Sequence, residues 1–415
     1  MTTETSQQPA PTHERHASWM ELFFDLVAVA GVLQLTHLLH DGPTLGDFGL
    51  YVLLYLAFWM VWAVIMLYGN IARDRTNVPL MLAAMLGLGV LAAAVAGLPE
   101  RHATAFAAVY VVLRIASGGL WGRGKVVVDW PIVEMGAGTL PWVVSLWVPE
   151  PWKYWCWALG LAMDMLIMFF VRGDRLLAGM QEQFERRLNR IRRVREIDET
   201  QVPKIEALHA DPAHLGERLG LYVLIVLGEG VIAVISAVGA EAWTAQILVL
   251  GFGAFVILAG LWALTLIYGG VVARLLGGSV PETVLSRQHV MVMHCFLTGA
   301  IATIAAGLGL AIGHASGHLT AGIGWTLCGG AAAYFAINAF VGLWSPPGWR
   351  WSLSWPVPCA VLAVTLGIFA PHLGALGAVG GLAALILWPV LWEYRTERRL
   401  RQAAVDKEQD GGDAR

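Results

Sequence analysis

Glu21 and Asp25 stand four residues apart inside an apolar run, with Leu22-Phe23-Phe24 between them and Leu26-Val27 after them. A spacing of four sets both carboxylates on one face of a helix. Other ionisable groups fall in similar apolar runs: Glu134, Asp164 and Glu229 among the acids, Arg114 as the one clear cation, and His289 and His294. A carboxylate held away from water stays protonated, finds a counter-charge or binds a cation. Five acids facing one arginine therefore point to a proton or cation pathway, or to an acid cluster that does chemistry. His294 is a candidate relay, because imidazole titrates near neutrality. Plainer roles stand beside these. Glu21 is close enough to a helix start to cap it or to snorkel. Arg114 is a structural partner for either Asp164 or Glu229. His289 suits an interface, and His294 a hydrogen-bonded packing position.

The elements that must carry these groups follow from composition. The chain has 415 residues, 57% hydrophobic and only 14% charged, with a mean hydropathy of +0.63. A soluble domain carries about 25% charge. A soluble enzyme and a disordered scaffold are excluded, and a net charge of −3 gives no signal for nucleic acid. Apolar stretches of about 20 residues, the length that crosses a bilayer, occur near 19–40, 47–70, 79–98, 102–120, 130–148, 152–171, 217–238, 244–268, 289–312, 321–345, 354–371 and 373–392. The predicted fold is an all-α polytopic transmembrane helical bundle of about 12 spans.

Charge alternates between the connections. One set holds Arg73, Arg75, Arg123, Lys125, the stretch Arg172 to Lys204, Arg274, Arg287, Arg350 and the arginine-rich tail; the other holds chiefly acids. The basic side is cytoplasmic by the positive-inside rule. Both termini are thus expected inside, in a multi-pass inner-membrane protein. On that scale Asp25 lies about 9 Å from the inner boundary and Glu229 about 16 Å deep.

The two halves echo each other. Glu14-Arg15 recurs as Glu217-Arg218, Trp62-Ala63 with Tyr68-Gly69 as Trp262-Ala263 with Tyr268-Gly269, Gly119-Leu120-Trp121 as Gly342-Leu343-Trp344, and Trp130-Pro131 as Trp355-Pro356. The order is the same each time, which predicts two parallel six-span repeats with a pseudo-twofold axis along the membrane normal. The expected divisions are a polar segment 1–18, a first repeat 19–171, an amphipathic cytoplasmic linker 172–216, a second repeat 217–393 and a polar tail 394–415. In the linker, Leu177, Met180, Phe184, Leu188, Ile191 and Val194 recur at helical spacing opposite six arginines, as in a helix lying on an anionic leaflet.

Nineteen tryptophans divide into a boundary set, including Trp19, Trp121, Trp130, Trp147, Trp152, Trp243, Trp344, Trp349, Trp351 and Trp355, that reads as an aromatic belt, and a deeper set, Trp59, Trp62, Trp142 and Trp262, that reads as core or as a cage for a cation or carbocation. The cysteines Cys156, Cys295, Cys328 and Cys359 are isolated in apolar runs, which argues against disulfides and a thiolate metal site. Gly87, Gly89, Gly307, Gly309 and Gly313 suit close helix approach. Neither a phosphate-binding glycine loop nor an Asp-rich diphosphate box occurs, and no metal or cofactor is expected.

The segment Glu14-Arg15-His16-Ala17-Ser18-Trp19-Met20-Glu21-Leu22-Phe23-Phe24-Asp25-Leu26-Val27 resembles the opening signature of the bacterial low temperature requirement protein A family. Glu217-Arg218-Leu219-Gly220-Leu221, followed by Val226-Leu227-Gly228-Glu229, resembles its second signature, with Gly230 where members often have serine. The stretch holding Tyr68, Asn70, Arg73 and Asp74 is similar too, and the likeness runs from about 13 to 393. The resemblance implies a polytopic membrane fold and highlights Glu14, Arg15, Glu21, Asp25, Glu217, Arg218 and Glu229. The family name derives from a growth phenotype and implies no molecular activity.

Two functions are expected from these residues. The first is a proton- or cation-linked transporter or channel, with a site between the halves drawn from Glu14, Arg15, Glu21, Asp25, Arg114, Glu134, Asp164, Glu217, Arg218, Glu229, His294, Trp62, Trp262, Tyr68 and Tyr268. The second is a membrane-embedded enzyme, such as a cyclase, using Asp25, Glu229, Glu21, Asp164 or Glu134 as general acids on a lipid or isoprenoid. A non-catalytic sensor built on the linker helix is a third. The expected partners are membrane lipid and a small ion, small molecule or lipid substrate, without nucleic acid; self-association into a homo-oligomer stays open.

Overall fold

A computed structural model describes residues 16–39, 42–72, 76–98, 101–119, 126–128, 130, 136–171, 206–208, 210–268, 286–344 and 348–412, with isolated positions 179, 182 and 186. Its helices are α1 (Trp19–Gln34, continued by a 3-10 turn Leu35–Leu39), α2 (Leu45–Ala72), α3 (Val78–Val95), α4 (Ala103–Gly119), α5 (Thr139–Val144), α6 (Trp152–Phe170), α7 (Pro212–Ala240), α8 (Ala245–Trp262, ending in a π turn Ala263–Ile267), α9 (Arg287–Gly313), α10 (Ala321–Trp344), α11 (Trp349–Ser354) and α12 (Pro356–Gly412). Among the described residues nine helical stretches are long and apolar enough to cross a membrane. The chain is an all-α polytopic bundle.

α12 is two antiparallel arms. Its backbone breaks at Gly374, where φ is 66° and ψ −177°, a conformation glycine adopts without strain. Across the break Cys359 Sγ lies 3.9 Å from the Leu385 carbonyl, and Trp355 and Trp351 both donate to Glu393 Oε1, at 2.7 and 2.9 Å. The arms fall where the spans 354–371 and 373–392 are predicted.

The predicted span 130–148 differs. Its described part is a bend, with Gly136 at φ 41°, followed by the six-residue α5. Positive φ at Gly136 and Pro141 in the first turn of α5 limit helix length here. A second difference is a short parallel pair, β1 (Val126–Val128) with β2 (Glu206–Leu208), in register Val126 to Glu206. Apart from β2, positions 179, 182 and 186 and the residues from Ala210 on, the amphipathic linker lies outside the described residues. Its end is shorter than expected, because Asp211 caps α7 by accepting from the amides of Ala213 and His214, and Pro212 supplies the first turn.

α2 is the hub. From Ala57 to Ile71 every residue is buried, the pattern of a helix enclosed on all sides. It touches α1, α3, α4, α6, α7 and α9. The boundary tryptophans split accordingly. Trp19, Trp147, Trp152, Trp243, Trp344 and Trp349 are exposed, as a belt requires, whereas Trp130 and Trp355 are buried. Trp355 departs from the belt because its indole N–H has an internal acceptor in Glu393. The glycine reading holds for some positions: a Cβ on Gly307 would lie 2.6 Å from the Leu327 backbone and one on Gly87 2.5 Å from Leu113 Cδ2, while Gly89 and Gly313 have open space. The four cysteines are free thiols.

Candidate functional site

The first turns of α1 and α7 face each other beside the end of α2 and the start of α9. Ser18 caps α1, and Glu21 completes the capping box: its Oε2 accepts from the Ser18 amide and hydroxyl, each at 2.9 Å. The cap leaves Oε1 free to look inward. There it meets His214 Nε2 at 3.1 Å and Arg218 Nη1 at 3.1 Å, both from α7. One turn further in, Asp25 receives Arg218 as a fork, Nε to Oδ2 at 2.8 Å and Nη2 to Oδ1 at 2.6 Å. Trp62 Nε1 donates to Asp25 Oδ1 at 2.7 Å. Glu21, Asp25, Arg218 and His214 are all buried.

The spacing explains the meeting. Glu21 and Asp25 are four apart on α1, His214 and Arg218 four apart on α7, so two matched pairs oppose one another across the seam. The ends are pinned in place. Asn70, at the end of α2, receives the Asp211 amide at 2.8 Å and donates to its carbonyl at 3.2 Å. Arg287, at the start of α9, donates to the Ala210 carbonyl. Above Asp25, the Trp62 ring lies 4.2 Å from that of Tyr222 and stacks on His294 at 5.7 Å. His294 is held as a neutral tautomer: Nδ1 accepts from Trp59 Nε1 at 3.4 Å, and Nε2 donates to the Leu219 carbonyl at 3.1 Å.

Glu217, at the rim, stands 3.5 Å from the exposed His16 and 3.9 Å from His214 Nδ1. His214 Nδ1 is buried and has no hydrogen-bond partner, although Nε2 is engaged.

Arg114 pairs with Asp164 rather than with Glu229. Its Nη2 is 2.9 Å from Asp164 Oδ2, while Asp164 Oδ1 accepts from the Gly138 amide at 3.1 Å. Tyr110, Trp142 and Trp157 wall this second pair, with Trp142 stacked on Tyr110 at 3.9 Å and on Trp157 at 4.8 Å. Glu229 is elsewhere again, half-buried between α1, α7 and α9. Tyr68 is buried and accepts from the Asn77 amide. Tyr268 is half-buried just beyond the π turn. Trp262, whose sequence surroundings echo those of the buried Trp62, is 42% exposed on the outside of the bundle. His289 pairs with Ser286 at 2.7 Å and meets Phe169 edge-on. Glu14, Arg15 and Glu134 lie outside the described residues.

The sequence therefore brings Glu21, Asp25, Arg218, Glu217, Trp62 and His294 to one place, and sets Arg114 with Asp164 at another. It understates the buried cations, since Arg218 at a span start reads as an interface residue. His214, Tyr222 and Trp59 are missed. For His214 a signal existed, the four-residue spacing to Arg218 that mirrors Glu21 and Asp25. Among the described residues no group of three or more His, Cys, Asp and Glu side chains is placed to hold a metal ion.

The bacterial low temperature requirement A protein (LtrA) family model matches residues 16–390, most of the chain. The chain belongs to the LtrA family. The match begins at His16 and so takes in the first signature segment from His16 on, the second signature segment and the Glu21–Asp25–Arg218 cluster they build. With its apolar helices, this makes the chain a multi-pass LtrA membrane protein. No curated protein and no solved structure matches it.

Proposed function

We propose that this LtrA protein is a proton-linked membrane transporter whose coupling site is the Glu21–His214–Arg218–Asp25 network. One observation carries the reading. Two buried carboxylates face one permanent cation, Arg218, and one titratable cation, His214. Arginine stays protonated in proteins. With His214 neutral the network has one negative charge to spare; one proton balances it. A buried ion pair is expensive to open while charged, so gaining or losing that proton changes how firmly α7 is held to α1. His16 and Glu217 give the proton a way in from the rim.

The proposal extends to the whole chain as two six-span repeats with the network between them. In each half the first helix packs on the third and the third on the fourth: α1 on α3 and α3 on α4, then α7 on α9 and α9 on α10. The rim carrying His16, Glu217 and the arginine-rich end of α12 is the cytoplasmic one in this proposal, within a bacterial inner membrane. The isoprenoid-enzyme alternative is less well supported. It calls for an open aromatic cage, and Trp62 has its N–H bound to Asp25 and its ring against Tyr222 and His294.

The test is proton flux in proteoliposomes under an imposed pH gradient. The wild type is expected to carry flux above protein-free vesicles, and Asp25→Asn to lower it at least about tenfold, the effect of about 1.4 kcal/mol. Flux that is absent in the wild type, or unchanged in Asp25→Asn, overturns the reading.

A further inference from the structure

The last three helices form a groove on the outside of the bundle, apart from the Glu21–Asp25 network. α10, α11 and α12 leave about 440 Å³ between them, within the range of about 300–1,000 Å³ of small-ligand sites. Ala336 and Phe340 line it from α10, and Val357 and Val361 from α12. Each pair is four residues apart and so shares a helix face. The lining is apolar except for Ser352, whose hydroxyl is spent on the Ala339 carbonyl at 2.8 Å.

The groove is preformed. The Ser352 bond ties α11 to α10, and a Cβ on Gly342 would run into Trp351 and Ser352, so α11 lies directly against α10. Trp351 and Trp355 hold Glu393 on the second arm of α12. Small side chains at Ala336 and Ala360 leave open the space between these fixed walls.

The two ends of the groove differ in chemistry. Phe340 and Val361 are exposed within spans, where the surroundings are lipid chains. Trp344 and Trp349 are exposed where α10 ends and α11 begins, as anchors at the headgroup level are. Beside Trp349 stands Arg350, also exposed, its guanidinium 5.7 Å from the Trp349 ring centre. Arg350 has no ionic partner among the described residues. Arg395, Arg398 and Arg399 follow Glu393 at the same end of the bundle.

We propose that this groove seats an acyl chain of an anionic phospholipid whose phosphate is held by Arg350. The apolar lining selects a lipid chain over a water-soluble anion. The guanidinium at the mouth selects a negative headgroup, because its fork matches phosphate oxygens and basic sites between helices recognise such lipids. The site does not depend on the transport reading and survives its failure.

The test uses full-length protein in phosphatidylcholine nanodiscs with a trace of phosphatidylglycerol or phosphatidylcholine carrying a photoactivatable diazirine in the acyl chain. Peptide mass spectrometry after illumination is expected to place adducts on α10 and the first arm of α12. Labelling by phosphatidylglycerol is expected to exceed that by phosphatidylcholine about fivefold, the scale for one surface arginine. Arg350→Gln is expected to erase that preference and Arg350→Lys to keep part of it. Ala336→Phe, which fills the groove from an exposed position, is expected to lower labelling by both probes, with Tm in pure phosphatidylcholine as the check on folding. Equal labelling by the two probes in the wild type, adducts on other helices only, or a preference that survives Arg350→Gln overturns the proposal. So does a groove covered by a second copy of the chain, which would keep both probes off these helices. The wild-type comparison decides the matter even where a variant fails to fold.

Discussion

Arg218 on α7 holds Asp25 on α1 through two nitrogens, at 2.8 and 2.6 Å, with both side chains sealed from solvent. The fork matches the two carboxylate oxygens and fixes the direction of both groups. Because 193 residues separate them, the pair is a brace between distant parts of the chain. Glu21 completes it by serving two structures at once, one oxygen capping α1 and the other facing α7.

Removing Arg218 leaves Glu21 and Asp25 without their permanent cation, which costs about 3–5 kcal/mol, whereas Asp25→Asn leaves Arg218 facing Glu21 and weakens only the fork. Arg218→Gln is therefore expected to lower Tm in nanodiscs more than Asp25→Asn. The double substitution is expected to fall less than the sum of the two, since the fork is already lost in either single variant. Strictly additive losses would show that the pair does not act as a unit.

Trp62→Phe keeps an aromatic ring against Tyr222 and His294 but removes the N–H that Asp25 accepts. The expected loss is about 1–3 kcal/mol, the cost of an unmet hydrogen bond to a charged group. Thermal melting beside Trp59→Phe checks it: the Trp59 donor bond to His294 is longer, at 3.4 Å, so that substitution is expected to cost less. The reverse ranking would remove Trp62 from the network.

His214 faces Glu21 and Arg218 inward, Glu217 at the rim with His16 beyond, and its own cap Asp211. His214→Gln can still donate to Glu21 but cannot take a proton. Proton flux in this variant is expected to fall at least about tenfold, the effect of about 1.4 kcal/mol, while the protein stays folded. Unchanged flux would assign the proton-carrying step to another group.

Gly138 sits where any side chain would collide with Asp164 and with the Gly160 carbonyl. Gly138→Ala is expected to displace Asp164 from Arg114 and destabilise the α4–α6 corner by a few kcal/mol, within the range of about 1–3 kcal/mol or more for overpacking. A neutral effect on Tm would mean that the corner yields without strain.

Much of this could be seen in the sequence, for definite reasons. Span positions are legible because lipid demands long apolar runs, and apart from 130–148 each predicted span has a helix at its place. The Glu21–Asp25 face is legible because spacing alone sets it. Arg218 was named as a site residue, but its burial was not legible, because a cation at a span start ordinarily reaches water, and only the inward register of α7 buries it. His214 was hidden by the boundary: Asp211 and Pro212 start the helix earlier than its apolar run does. Trp62 and Trp262 match in sequence, yet one is enclosed and the other faces outward, because burial depends on which neighbours surround a helix.

Infrared difference spectroscopy on the protein in nanodiscs, stepped from mildly alkaline to mildly acidic pH, addresses the network itself. The account predicts proton uptake linked to the Glu21–His214–Arg218–Asp25 cluster, seen as imidazolium or carboxylic-acid bands that vanish or shift in His214→Gln and Asp25→Asn but persist in Glu229→Gln. Bands unchanged by both cluster substitutions would contradict it.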